Sequence, residues 1–352
     1  MTRRTLSALS IIILLIVPTV SVPAPPAPDW AERLELEIQR IDDAMPGQLG
    51  VYIRSMADGA SVRHRTDRNW YLASTIKIPL AIALMQKVEA GELAMDDELE
   101  LAESDFVDGA GDLLWHEPGS RFTLDELNRR SVSDSDSTAT DMLIRLVGVE
   151  QLNSQIARTM ISSGFGPVTT ILQVRYDAYG EIAAAVETMS NIDFIELRSE
   201  GGIENRYQRV LDILAIDAAE AGVSSGMEAF RRYYARGINS GNLESFGILL
   251  ERLVRGELLN EAHTRRVLQI MEEVTTGEHR IKAGLPAHAR FAHKTGTQIA
   301  RACNVGILNP HSPDKAVLVL ACAEDYDQLN DADMAFRKLG QALSAAGLVD
   351  GN

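Results

Sequence analysis

The chain has 352 residues, of which 45% are hydrophobic and 24% are charged, so we expect one or two ordinary globular domains. Its formal net charge is −16, which repels phosphate backbones, and we therefore expect no nucleic-acid partner.

The first 24 residues have the pattern of a cleaved bacterial secretory signal. Arg3 and Arg4 precede an apolar stretch over residues 6–17 that is short for a membrane span, and small residues follow it. An uncleaved anchor is the alternative. Residues 25–29 predict a Pro-rich extended spacer. We expect a periplasmic or secreted protein with no stable membrane span after cleavage.

The next elements predict a helix, a strand pair and a second helix. Residues 30–41 carry apolar side chains at near-helical spacing. Residues 49–54 and 61–64 have strand character around an Asp-Gly turn. The apolar run over residues 78–85 is followed by Gly91 and predicts a buried helix.

Helical patterns continue through the middle of the chain, and strand patterns return near its end. Thr123 and Glu126 stand in the positions of a capping box. Residues 242–256 place apolar side chains on one helical face. Strand character spans residues 290–323, and a final helix is predicted over 331–346.

This order predicts an α/β fold of the mixed α+β kind. An antiparallel sheet built from both chain ends would be flanked by helices and interrupted by an inserted all-helical domain. The predicted sheet domain comprises residues 30–68 and 276–348. The predicted helical domain comprises residues 69–275 and carries Ser74 and Ser135.

The two cysteines flank a predicted hairpin whose turn spans residues 309–314. If the strands pair symmetrically, Cys303 lies directly opposite Cys322. Export permits a disulfide there, and two small buried thiols are the alternative.

Three short strings could build an acyl-transfer site: Ser74-Thr75-Ile76-Lys77, Ser135-Asp136-Ser137 and Lys294-Thr295-Gly296. At average composition a chain of this length holds roughly one or two Ser-x-x-Lys strings by chance, and only about 0.1 Lys-Thr-Gly. The ordered set is therefore specific, although each string alone is not.

Each string also has an ordinary structural interpretation. Ser74 and Lys77 pair a nucleophile with an amine base, or merely start a helix. Ser135 supplies a second hydroxyl, or its string only caps a helix. Gly296 lets a substrate approach the strand backbone, and the N–H groups of Thr297 and Ser74 can form an oxyanion hole. The alternative for this string is an edge strand with a gatekeeper lysine.

The set resembles the motifs of class A serine β-lactamases and the wider penicillin-recognising serine hydrolases. The similarity covers most of residues 30–345, including 249–256 and 280–286. It implies a β-lactamase-like fold and an acylated Ser74. It also implies further roles in the site: Lys77 as proton acceptor, Ser135 as proton relay, and Lys294, Thr295 and Thr297 as ligands of the substrate carboxylate.

Two positions depart from the family pattern. Ser137 replaces an asparagine whose amide holds the substrate side chain. Asp177, in the string over residues 171–177, is the best counterpart of the glutamate that activates the deacylating water. It is about one methylene shorter, and a misplacement near 1 Å can cost on the order of a hundredfold in rate. Less well placed rivals are Glu181, Glu196 and Glu204, and Asp177 could instead be a loop acid that pairs with Arg175.

The leading hypothesis is an exported serine β-lactamase that confers antibiotic resistance and acts as a monomer on a small-molecule substrate, without metal or organic cofactor. One alternative is a peptidase or esterase acting on cell-wall-like peptides. Another is a penicillin-binding protein that is acylated without turnover.

Overall fold

A computed structural model describes residues 29–160 and 163–350 of the chain. The predicted signal and nearly all of the spacer lie outside the described residues. Within the described ranges, no helix is both long and apolar enough to cross a membrane. The strands are β1 (Gln48–Ser55), β2 (Ser61–His64), β3 (Asn69–Tyr71), β4 (Glu98–Glu100), β5 (Arg121–Thr123), β6 (Ser240–Asn242), β7 (Phe291–Gln298), β8 (Arg301–Leu308) and β9 (Val317–Glu324). The α-helices are α1 (Asp29–Asp43), α2 (Lys77–Glu89), α3 (Leu124–Ser133), α4 (Ser137–Val147), α5 (Val149–Gln155), α6 (Ile171–Gly180), α7 (Asn191–Ser199), α8 (Ile203–Leu214), α9 (Gly226–Ala235), α10 (Leu243–Val254), α11 (Glu261–Glu272), α12 (Ile281–Gly284) and α13 (Leu329–Ala345).

The main sheet has five antiparallel strands in the order β2-β1-β9-β8-β7. Its first two strands come from the N-terminal part of the chain and the other three from the C-terminal part. The predicted antiparallel sheet built from both chain ends is therefore confirmed. Strand β7, which carries the Lys-Thr-Gly string, lies at one edge of this sheet.

Alternate residues of the sheet face two different cores. On β1, Val51 and Ile53 join the apolar cluster that is covered by α1 and α13. Tyr52 points the other way and joins the cluster packed against the helical region. Every residue of β8 and β9 is buried, because helices cover both faces of the sheet. The predicted helices at the two ends of the chain are thus the outer layer of the sheet.

Helix α2 lies at the centre of the helical region. Its first nine residues, Lys77 to Met85, are all buried, as the apolar run predicts, and Gly91 follows its end with φ of +72°. The predicted capping box is present at the start of α3, where the Thr123 side chain accepts a hydrogen bond from the Glu126 N–H. These local signals agree with the packing because each satisfies backbone groups that a helix end leaves unpaired.

Helices α6 to α9 surround a third apolar cluster that is rich in aromatic rings. The rings of Tyr179 and Phe194 stack within it, and the Tyr71 ring meets Tyr233 edge to face. Tyr71 is the last residue of β3, which leads directly into the segment around Ser74. The cluster therefore borders the predicted nucleophile.

The hairpin of β8 and β9 places Cys303 directly opposite Cys322, as the symmetric pairing predicts. The two residues form a disulfide, which decides between the two alternatives. Cys303 also lies opposite Gly296 of β7, so the bridge stands one strand behind the Lys-Thr-Gly string.

Candidate active site

One cavity brings the three strings together where the start of α2, the turn before α4 and strand β7 meet. The predicted site residues that line it are Ser74, Lys77, Ser135, Ser137, Thr295 and Thr297. Its remaining walls are formed by residues without a predicted role: Tyr71, Ala73, Ile76, Gly109, Ala110, Thr169, Ile171, Val174, Arg175, Asn239, Thr276 and Gln298.

Ser74 lies in a 3-10 turn over Ala73–Ile76 that leads directly into α2. Ala73 has φ of +46°, a conformation that residues with a Cβ rarely adopt. Such strain persists only where the surrounding packing enforces it, and it concentrates at functional sites. The Ser74 side chain is thereby presented at the N-terminal end of a helix, where partial positive charge favours a developing anion.

Lys77 is completely buried, and its ammonium group points toward the second string. Nζ donates to the backbone oxygen of Ser135 at 2.6 Å and lies 3.2 Å from Ser135 Oγ. Burial lowers the pKa of Lys77 to about 7, although Asp136 and Asp141 oppose the shift. A substantial neutral fraction near pH 7 is what a general base for Ser74 requires.

The second string caps a helix, as one of its two interpretations predicts, and it also places a hydroxyl near Lys77. Asp136 caps α4, with Oδ1 accepting from the Ala139 N–H at 2.8 Å, and its Oδ2 accepts from the Leu113 N–H at 2.9 Å. Ser135 has φ of +59°, which turns it out of the helix and toward Lys77. Asp136 therefore stabilises the turn, and Ser135 places its hydroxyl next to Lys77.

Ser137 is buried against a glycine of the opposite loop. A Cβ built on Gly109 would lie 2.0 Å from Ser137 Oγ, and Gly109 has φ of +148°. The Ser137 N–H also donates to the Ala110 oxygen at 2.9 Å. This close approach explains a serine at the position, because a larger amide side chain has no room unless the loop moves.

Lys294 lies fully buried in β7, so the gatekeeper interpretation, which needs a solvent-facing lysine, is wrong. Its Nζ donates to the Thr295 oxygen at 3.1 Å. Burial holds the pKa of Lys294 well below its usual range, and the nearby cations Lys77 and Arg280 add to the effect. Both amines are thus kept away from water, but only Lys77 lines the cavity, whereas Lys294 lies outside the lining.

Strand β7 approaches the nucleophile segment so closely that only glycine fits at position 296. A Cβ there would lie 2.6 Å from the Leu72 oxygen and 3.0 Å from the Ser74 nitrogen. The buried Arg280 holds the same strand, donating to the Gly296 oxygen at 3.1 Å and to Thr297 Oγ1 at 2.8 Å. No local sequence pattern marks this role of Arg280, because its contacts join residues distant in the chain.

Asp177 is not brought into the cavity. The string over residues 171–177 lies in helix α6, and at about 100° per residue the helix turns Asp177 away from the face that carries Ile171 and Arg175. The Asp177 carboxylate instead accepts from Gln173 Nε2 at 3.1 Å and pairs with Arg236 at 3.3 Å. The alternative interpretation of Asp177, a loop acid that pairs with Arg175, is therefore also wrong.

The rival carboxylates also lie elsewhere. Glu204 accepts from backbone N–H groups at the start of α9, Glu181 lies 3.8 Å from Arg236, and Glu196 is exposed. Every Asp and Glu of the chain falls within the described residues, and none of them lines the cavity. The wall formed by α6 presents aliphatic side chains and one guanidinium.

Two buried polar residues hold this wall in place. Asp141 accepts from the N–H groups of Ile171 and Leu172 at 2.6 and 2.8 Å, and burial raises its pKa to about 6. Asn239 accepts from the Thr169 N–H at 3.0 Å. Both contacts orient the first turn of α6 relative to the nucleophile.

Comparison with known proteins gives one family. A model described as the beta-lactamase enzyme family matches residues 33–191 and 199–346. Among curated proteins, β-lactamase VEB-1 of Pseudomonas aeruginosa is 23% identical over 290 residues, which span 79% of this chain and 78% of that protein. A β-lactamase of Rhodobacter capsulatus is 29% identical over 129 residues, or 37% of this chain and 44% of that protein.

Solved structures share the fold. A β-lactamase from Sphaerobacter thermophilus superposes with a TM-score of 0.66 at 23% identity, covering 91% of this chain and 98% of that one. A mutant of PBP-A, described as an acyl-enzyme complex with penicillin G, gives 0.66 at 20% identity, covering 92% and 99%. The predicted β-lactamase-like fold is confirmed.

Proposed function

Since the chain belongs to the β-lactamase enzyme family, we propose that it is a serine hydrolase of β-lactams that forms an acyl-enzyme on Ser74. The observation that carries the proposal is the meeting of Ser74, Lys77 and Ser135 in one cavity. We extend the proposal to export, on the signal-like pattern of residues 1–24. Relatives named β-lactamases support the substrate class.

In the acylation step, Ser74 Oγ attacks the carbonyl carbon of the ring while its proton passes to the neutral amine of Lys77. The C–N bond of the ring then breaks, and Ser135 Oγ relays the proton from Lys77 to the departing nitrogen. One O–C bond forms, one C–N bond breaks, and one proton moves from oxygen to nitrogen. The contact of 3.2 Å between Lys77 Nζ and Ser135 Oγ supports the relay.

The backbone N–H groups of Ser74 and Thr297 would receive the oxyanion, because the close packing at Gly296 brings their segments together. The substrate carboxylate would meet the Thr295 and Thr297 side of β7. Lys294 would act there from behind the strand, through its hydrogen bond to the Thr295 oxygen.

A second candidate, a penicillin-binding protein that retains its acyl group, is favoured by the cavity wall. Deacylation needs a base for the incoming water, and no carboxylate lines the cavity. After acylation, Lys77 and Ser135 are the groups left to accept a proton there. We therefore expect acylation to be faster than deacylation, so that the adduct accumulates during turnover.

The test combines nitrocefin hydrolysis with intact-mass detection of the benzylpenicillin adduct. We expect one penicilloyl group on the wild type and none on Ser74→Ala. Nitrocefin hydrolysis by the wild type should show a burst followed by a slow steady-state rate. Asp177→Asn is the matched control, and we expect it to retain both rates because Asp177 lies outside the cavity. Absence of adduct and of hydrolysis with several β-lactams would refute the proposal. Cleavage of D-Ala-D-Ala peptides without β-lactam hydrolysis would assign the site to peptides.

A further inference from the structure

We propose that Arg175 is a specificity residue that selects acyl donors with an anionic group on the acyl side chain. The inference rests on the proposed acylation of Ser74, because it concerns the part of the substrate that stays attached to that residue.

Arg175 lies in the wall of the cavity on helix α6, next to the loop of Gly109 and Ala110. Its side chain is 11% exposed. Nε donates to the carboxylate oxygen Oδ1 of Asp108 at 2.6 Å, and Nη2 donates to the backbone oxygen of Asp108 at 3.4 Å. Within the described residues Nη1 has no hydrogen-bond partner. The guanidinium is therefore fixed along one edge and keeps donors on the other.

The charge of Arg175 is permanent. Burial opposes that charge, but the adjacent Asp108 carboxylate raises the pKa of Arg175 overall. Asp108 itself is buried and does not line the cavity, so the cation and not the anion of this pair meets the cavity. With no Asp or Glu in the lining, an entering anion meets no like charge.

Arg175 lies on the side of the cavity where the acyl half of the substrate would bind. The leaving-group carboxylate is assigned to β7, and the acyl half then faces α6, Ser137 and the Gly109 loop. In this half Arg175 is the charged residue of the lining, and a planar guanidinium binds a carboxylate through two hydrogen bonds. A carboxylate on the acyl side chain is the group that this wall would recognise.

Carbenicillin and benzylpenicillin provide a matched pair, because they differ by one carboxylate on the acyl side chain. The measured quantity is the ratio of their second-order acylation rates, followed by intact mass. We expect Arg175→Gln to lower the carbenicillin-to-benzylpenicillin ratio about tenfold or more, as expected for a lost charge-assisted hydrogen bond. Asp108→Asn should raise the ratio, because it removes the anion that competes for the guanidinium.

Arg198→Gln is the control, since Arg198 holds the Gly109 oxygen but does not line the cavity. It should leave the ratio unchanged. If Arg175 only supports the loop, Arg175→Gln and Asp108→Asn will slow both penicillins equally, and the proposal falls. A wild-type ratio that decreases as pH rises through about 7 would assign the selectivity to Lys77 and also overturn it.

Noncovalent binding separates this inference from the proposed function. Calorimetry on Ser74→Gly, with and without Arg175→Gln, gives the affinity ratio of the two penicillins without acylation. A wild type that forms no adduct would refute acylation, whereas the calorimetric ratio would still decide the role of Arg175. Equal ratios in the two proteins would overturn it.

Discussion

The two walls of the cavity differ in the chemistry that they carry. The wall formed by α2, the Ser135 turn and β7 is called the acylating wall after its proposed role. It presents the Lys77 amine and the hydroxyls of Ser74 and Ser135, and Lys294 is buried outside the lining. Strained backbone and the close contact at Gly296 hold it in place. The surface that α6 presents to the cavity is aliphatic apart from Arg175, and it includes no carboxylate. Under the proposed function, the site carries the groups for attack on a carbonyl but has no carboxylate in its lining to activate the deacylating water.

The two walls are also supported differently. Strand β7 is hydrogen-bonded into the main sheet and held from behind by Arg280, which Asp333 of α13 binds at 2.7 Å. Helix α6 depends on side chains that cap its first turn, chiefly Asp141. The β7 part of the acylating wall is therefore fixed by the main sheet, whereas the α6 wall depends on a few polar contacts.

The largest expected effect comes from disabling the acylating wall. We expect Lys77→Met to lower the acylation rate about a thousandfold, because it removes the base and keeps the stem of the side chain. Intact-mass time courses measure the rate. Lys87→Met is the matched control, since Lys87 lies buried on the same helix but pairs with Glu92 outside the cavity. Acylation of Lys77→Met within tenfold of wild type would contradict the assigned role.

A carboxylate added to the α6 wall should supply the base that the wild-type lining lacks. We expect Ile171→Glu to raise the deacylation rate about 10- to 100-fold while the acylation rate stays near that of wild type. Decay of the benzylpenicillin adduct measures this rate. Gln173→Glu places the same charge on the exposed side of α6 and should have no such effect. An unchanged adduct lifetime in Ile171→Glu would show that the wall is not limiting.

The acylation rate should depend on pH near neutrality. Lys77 must be neutral to accept the proton, and its pKa is about 7. Below that pH the acylation rate should fall about tenfold per pH unit, and above it the rate should level off. Stopped-flow measurements from pH 5 to 9 test the profile. A rate independent of pH across this range would exclude Lys77 as the base.

The smallest expected effect concerns the boundary between the walls. Ser137→Asn restores the residue typical of the family, but Gly109 leaves no room for it. We expect a loss of about 1–3 kcal/mol in the free energy of unfolding, and less than a tenfold change in acylation. Chemical denaturation measures the former, with Ser137→Ala as the smaller control. Undiminished stability together with faster acylation would show that the loop adapts.

Most of the acylating wall could be predicted because its groups are close in sequence. Ser74 and Lys77 are three residues apart, and the Ser135 string forms a local turn whose aspartate caps the following helix. In such short strings the local helix or turn geometry alone fixes how the side chains lie relative to one another. The pairing of Cys303 with Cys322 followed in the same way from a symmetric hairpin.

The α6 wall could not be predicted from spacing. Asp177 is the best sequence counterpart of the family's glutamate, but its string folds as a helix and its carboxylate turns toward Arg236. The contacts that decide this, such as Asp141 with the start of α6, join residues 30 positions apart. No local pattern marks them.

The sequence by itself determined the family, the mixed fold built from both chain ends, and the residues expected to attack the substrate. It could do so because hydrophobic periodicity and short motifs act over a few residues. Only the tertiary structure decided which side chains complete the cavity, that Ser137 packs on Gly109, and that Arg175 lines the cavity whereas Asp177 does not. The direction of a side chain depends on the elements packed against it, and those come from distant parts of the chain.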